Sequence, residues 1–120
     1  MVVLNVSAHE IDRIFQAMAD ATRRDIITRV MVREQSVSAL AALYAMSFAA
    51  VQKHVAVLER AGLVGKERHG REQIVQAKPE TLRRAAQLLD AYEEIWHDRA
   101  ERMVGILTET QPISEKGQKS

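Results

Sequence analysis

Apolar positions recur along this chain at two periods, and the switch between them marks its organisation. Ile11, Ile14, Phe15 and Met18 follow at helical spacing behind Ser7-Ala8-His9-Glu10, the form of a capping box in which Ser7 and Glu10 satisfy two otherwise orphaned amides. Asp20 is the next cap. Behind it Ile26, Ile27, Val30 and Met31 face a core, while Arg23, Arg24, Arg29 and Arg33 take the polar side. Ser36 or Ser38 opens a short helix carrying Leu40 and Leu43, the chain turns at Ala45-Met46, and Ser47 caps a helix running to about Ala61. Gly62 stands where a left-handed residue would end that helix.

Beyond Gly62 the period shortens to two. Leu63–Arg68 and Glu72–Gln76 read as two short strands, with His69-Gly70-Arg71 supplying the glycine of a tight hairpin. Pro79 suits the first position of a last helix, where its missing amide has no partner to lose. That helix carries Leu82, Ala85, Ala86, Leu89, Tyr92, Ile95, Trp96, Met103, Ile106 and Leu107. Some 30 residues at 1.5 Å each span about 45 Å, longer than so small a domain is wide. The excess apolar length calls for a partner. Two-fold pairing of a second copy through this helix, helped by Ile11, Ile14 and Phe15 of the first, would cover it. The predicted fold class is mostly α with a small β-hairpin: a winged helix-turn-helix with a long C-terminal dimerisation helix. Residues 1–110 form the one domain, and 111–120 are expected to be a disordered polar tail.

Composition narrows the chemistry by exclusion. With no cysteine, disulfides, thiolate metal sites and thiol redox sensing are all removed. No secretory leader is read in Met1–Glu10 and no apolar run is long enough to span a bilayer, so the expected location is the cytoplasm, with no membrane partner. No glycine-rich phosphate loop, nucleophile motif or His-metal motif is present, which argues against an enzyme. The net charge of +1 says little, but its distribution says more. Up to Lys78, 11 Lys and Arg stand against 8 Asp and Glu; from Pro79 to Thr110, 4 stand against 7. A basic front and an acidic back suit a chain that turns one face to phosphate and another to itself.

In a helix-turn-helix the second helix enters the major groove by its N-terminal residues. Here these are Ser47, Phe48, Ala49, Ala50, Gln52, Lys53 and a partly turned His54, with Val51, Val55 and Leu58 on the inner side. Gln52 can pair with adenine, and Lys53 can reach guanine or phosphate. Lys66, Arg68, His69 and Arg71 form a positive hairpin tip for phosphate or the minor groove, and Arg23 and Arg24 are further candidates for backbone contact. The rival reading is a winged-helix module that binds protein instead of DNA.

Three segments carry a family resemblance. Met18-Ala19-Asp20-Ala21-Thr22-Arg23-Arg24 resembles the LADPTRR opening of ArsR-family repressors, and Ser36-Val37-Ser38-Ala39-Leu40-Ala41 is similar to their SVGELA segment. The run from Met46 to Val64 resembles their MSxPAVSKHLKVLERAGLV, with Ala49 in place of a frequent Pro and Gln52 in place of the usual Ser. The resemblance implies a dimeric winged-helix repressor that leaves its double-stranded DNA operator when an effector binds, with a small molecule as a candidate effector of unidentified nature. Two-fold pairing through the last helix makes the expected operator an inverted repeat. Metal sensing by the family's third-helix site needs the missing cysteines. Glu93, His97 and Glu101 share one face of the last helix, but one imidazole per chain is a poor zinc set, so no metal or other cofactor is expected.

Overall fold

Side-chain oxygens start the helices where the sequence places them. The structure, a computed structural model, describes residues 7–110; residues 1–6 and the expected tail at 111–120 lie outside the described residues. Helix α1 (Ala8–Met18) begins with a complete capping box: Glu10 N donates to Ser7 Oγ at 3.1 Å and Ser7 N donates to Glu10 Oε1 at 2.8 Å. Helix α2 (Ala21–Val32) starts at Asp20, whose carboxylate accepts from Arg23 N at 3.0 Å. A two-residue strand β1 (Gln35–Ser36) leads into α3 (Val37–Ala41), which is capped by Ser36 through Ala39 N. Helix α4 (Phe48–Arg60) is capped by Ser47 through Ala50 N. Each cap satisfies an amide that its helix leaves without a carbonyl partner.

Gly62 terminates α4 at φ +78°. Its amide donates to Glu59 O at 2.9 Å and that of Leu63 to Leu58 O at 3.0 Å, the pairing of a Schellman motif, and Leu58 and Leu63 are both buried. Strands β2 (Val64–His69) and β3 (Glu72–Ala77) then pair antiparallel, Lys66 opposite Val75 and His69 opposite Glu72. Of the two turn residues only Gly70 has positive φ, +64°, which suits a type II′ hairpin. Strand β1 adds to the far edge of β3, giving the order β1-β3-β2. The expected hairpin is therefore one part of a three-stranded sheet. A two-residue strand is too short to display alternation, which is why the pattern hides it.

One core joins these elements. Ile14 and Ala17 of α1, Ile26 and Val30 of α2 and Leu40 of α3 meet Val51, Val55 and Leu58 of α4, with Val64 and Val75 closing the sheet side. Met31 departs from expectation at 48% exposure: Val30 takes the inward place in the last turn, and Met31 lies about 100° further round the helix. Leu43 is also exposed, because α3 ends at Ala41 and Leu43 falls in the turn that follows.

Helix α5 (Pro79–Thr110) begins, as expected, at its proline. It docks through small residues, with Ala85 and Ala91 buried, and beyond Ala91 no described residue of it is buried. Its 32 residues run about 48 Å, so the molecule measures 71 × 28 × 20 Å. Among the described residues no helix is long and apolar enough to cross a membrane.

Candidate nucleic-acid interface

Helix α4 is divided cleanly between two environments. Val51, Val55 and Leu58 are fully buried and seat it on the core. Phe48, Ala49, Gln52 and Lys53 stand on the open face, and Ala50 is half-buried beside them. Ser47 lies at the head of that face with its hydroxyl engaged by Ala50 N. Phe48 is 47% exposed, an apolar ring where a thymine methyl can be received, and the alanines let backbone approach closely. The side chains of Gln52 and Lys53 make no hydrogen bond or ion pair among the described residues, so their donors and acceptors remain available for base edges or phosphate.

The turn ahead of α4 is tied down by a polar cluster. Tyr44 donates its hydroxyl to Asp25 Oδ2 at 2.6 Å, and Arg29 Nε donates to the same oxygen at 2.7 Å. The Arg29 guanidinium also lies 5.9 Å from the centre of the Tyr44 ring. The Tyr44 hydroxyl and then Arg29 hold the Asp25 carboxyl below its ordinary range. Burial and the adjacent carboxylate push the Tyr44 phenol up to about 12. At neutral pH the cluster is therefore a carboxylate held by a phenol and a guanidinium, and it fixes the turn to α2.

The wing carries less open charge than its composition suggests. Lys66 Nζ lies 3.4 Å from Glu59 Oε1 of α4, and His69 Nε2 lies 3.3 Å from Glu67 Oε1. Gln76 donates to Glu67 at 2.8 Å and, with His69, holds that carboxyl below its usual value, so it stays ionised. Arg68 and Arg71 are exposed and make no ion pair among the described residues, which leaves them as the wing's open cations.

Arg23 and Arg24 are placed differently from the rest. Arg24 Nη1 donates to Met18 O at 2.7 Å, while Arg23 donates through Nε to Ala17 O at 2.8 Å and through Nη2 to Gln16 O at 3.1 Å. Both arginines thus serve the last carbonyls of α1. His54 turns toward the same place, with Nδ1 3.2 Å from Arg23 Nη1 and 3.8 Å from Asp20 Oδ2. On the acidic helix His97 Nε2 lies 3.5 Å from Glu101 Oε2, and no cluster of three His, Asp or Glu able to hold a metal ion occurs among the described residues.

No family model matches the chain, and no curated protein matches it. Solved structures do. An ArsR-like transcriptional regulator from Rhodococcus sp. RHA1 is 32% identical, with 82% of this chain and 92% of that one covered at a TM-score of 0.73. This chain belongs to the ArsR family of transcriptional regulators. A second ArsR-family transcriptional regulator is 28% identical over 77% of this chain and 95% of its own, also at a TM-score of 0.73. A homodimeric winged helix-turn-helix DNA-binding domain from Mycobacterium bovis shares the fold at 21% identity, covering 77% and 92% with a TM-score of 0.59.

Within this ArsR-family chain the structure brings together most of the residues read from sequence. The open face of α4 holds Phe48, Ala49, Gln52 and Lys53, and the wing tip holds Arg68, His69 and Arg71. It turns Arg23 and His54 toward each other. It also removes Ile14 from the candidate dimer surface: at 1% exposure the side chain is sealed in its own core and has no area to offer a second chain. The Asp25–Tyr44–Arg29 cluster has no counterpart in the sequence reading. Asp25 and Tyr44 lie 19 residues apart, with no periodic pattern to connect them.

Proposed function

We propose that this regulator is a homodimeric repressor that occupies an inverted-repeat operator, with α4 in the major groove and the wing on the backbone. The observation that carries this reading is the open N-terminal face of α4. Its small residues flank Gln52 and Lys53, two polar side chains with no partner in the described residues, and the basic wing stands beside it. Gln52 reads a base, Lys53 meets guanine or phosphate, and Arg68 and Arg71 neutralise phosphates. The dimer forms through α5, where Leu89, Tyr92, Ile95, Trp96 and Met103 are each more than half exposed. Leu89, Tyr92, Trp96 and Met103 recur at steps of three, four and seven, the spacing of a helix–helix seam. Ile11 and Phe15 of α1 extend that surface. Ile106 and Leu107 continue it toward the helix end.

Fluorescence anisotropy with a labelled duplex from upstream of the chain's own gene tests this. The expected result is binding at least about a thousandfold tighter than to a scrambled duplex at physiological salt. Equal affinity for the two would contradict operator recognition, and no affinity for either would favour the protein-binding module.

A further inference from the structure

Helix α1 ends without the usual devices. It has no C-terminal glycine or left-handed residue, Ala19 being right-handed at φ −77°, and no basic residue in its last turn. Its last carbonyls carry partial negative charge and need donors. The first turn of α2 supplies them, and Arg23 takes two. A guanidinium is planar and rigid, so once Nε and Nη2 are fixed on Ala17 O and Gln16 O the direction of Nη1 is fixed too. Nη1 meets His54 Nδ1 at 3.2 Å, 31 residues further along the chain. Arginine has no acceptor, so in this hydrogen bond His54 Nδ1 accepts, which requires the tautomer with its proton on Nε2. His54 occupies α4 at the edge of its buried face, next to Lys53 and two positions from Gln52.

We propose that Arg23 is a positioning residue for DNA recognition: through His54 it fastens the last turn of α1 to the recognition helix and sets the angle at which Gln52 and Lys53 are presented. The inference rests on the DNA-binding reading above and deepens it. Three helices meet at one half-buried guanidinium. Helix α1 also displays Phe15 at the edge of the proposed dimer contact, so the clamp joins an element bordering that contact to the DNA helix. A residue that merely touched phosphate would leave its donors to solvent; Arg23 directs three of them onto protein acceptors.

The test compares wild type, Arg23→Met, His54→Ala, the double variant and His54→Asn. Asn offers an acceptor oxygen close to where Nδ1 stands. On the upstream duplex Arg23→Met and His54→Ala should each lose affinity by roughly an order of magnitude. The double variant should lose no more than either single, and His54→Asn should retain most of the wild-type affinity. Binding to random duplex should fall by much less than binding to the upstream duplex, and the salt slope should change by well under one. A slope reduced by about one in Arg23→Met, with equal losses on both duplexes, would make Arg23 a phosphate contact and overturn the proposal. Additive losses in the double variant would overturn it as well. If Arg23→Met fails to fold, His54→Ala and His54→Asn carry the same comparison with Arg23 left on α1. An NMR arm on the free protein separates this proposal from the DNA-binding reading: Arg23→Met removes the donor to Nδ1, so it should shift the His54 Nδ1 resonance and the α4 amides. Unchanged ring and α4 signals would reject the clamp even if operator binding stood, and shifted signals would support it even if the operator reading failed.

Discussion

At the scale of single residues, what separates DNA-reading side chains from merely polar ones is whether the protein has already used their donors and acceptors. Among the described residues Gln52 and Lys53 have no side-chain partner, whereas Lys66 and His69 are paired with carboxylates. Gln52→Ala is therefore expected to cost about 1–3 kcal/mol on the preferred duplex, to relax preference at one base pair and to leave random DNA almost unaffected. Anisotropy on a set of single-position duplex variants checks this, and equal losses everywhere would remove Gln52 from base reading. In the wing, Arg68→Ala and Arg71→Ala should each lower the log–log salt slope by about one, on every sequence. Lys66→Ala should lower it less, because part of the ammonium's charge is already met by Glu59. A full unit lost at Lys66 would mean that this ion pair opens on DNA.

At the scale of elements, local chemistry was readable and long-range chemistry was not. The caps at Ser7, Asp20 and Ser47, the stop at Gly62 and the proline start of α5 all depend on neighbours within a few residues, and all stand where the sequence puts them. Strand β1 owes its existence to β3, some 38 residues away, and the partner of Arg23 lies on another helix, so neither leaves a periodic trace. Ile14 looked like one member of an exposed stripe because periodicity reports a face without saying which element covers it. Gly62→Ala tests the helix stop. Positive φ disfavours a Cβ, and the new methyl would sit 3.3 Å from Thr81 Oγ1, so urea denaturation should show a loss of about 1–2 kcal/mol. The turn cluster predicts a pH effect. With its folded pKa depressed, Asp25 contributes stability that is present above its ordinary value of 3.8 and is lost as pH falls through the lower folded value. Tyr44→Phe removes the largest cause of that depression. The variant's stability should fall less between pH 6 and pH 3 than the wild type's, by urea midpoints; parallel acid limbs would contradict the assignment.

At the scale of the whole molecule, the long axis measures 71 Å and no described residue of α5 beyond Ala91 is buried. Leu89, Tyr92, Ile95, Trp96 and Met103 are each more than half exposed along one helix, the kind of apolar surface that marks an interface. In the proposed dimer a second copy would cover it by two-fold symmetry, and the same symmetry would space two α4 helices for half-sites about one DNA turn, or a multiple of it, apart. Trp96→Glu with Leu89→Glu should yield monomers that lose operator affinity although every proposed DNA-contacting side chain remains. Sedimentation equilibrium, run on the chain alone and with its upstream duplex, tests the dimeric reader most directly. A dimeric reader should show twice the 13.5 kDa chain mass in free solution at micromolar concentration and two chains on each duplex. A 13.5 kDa species alone, with one chain or none on the duplex, would contradict it.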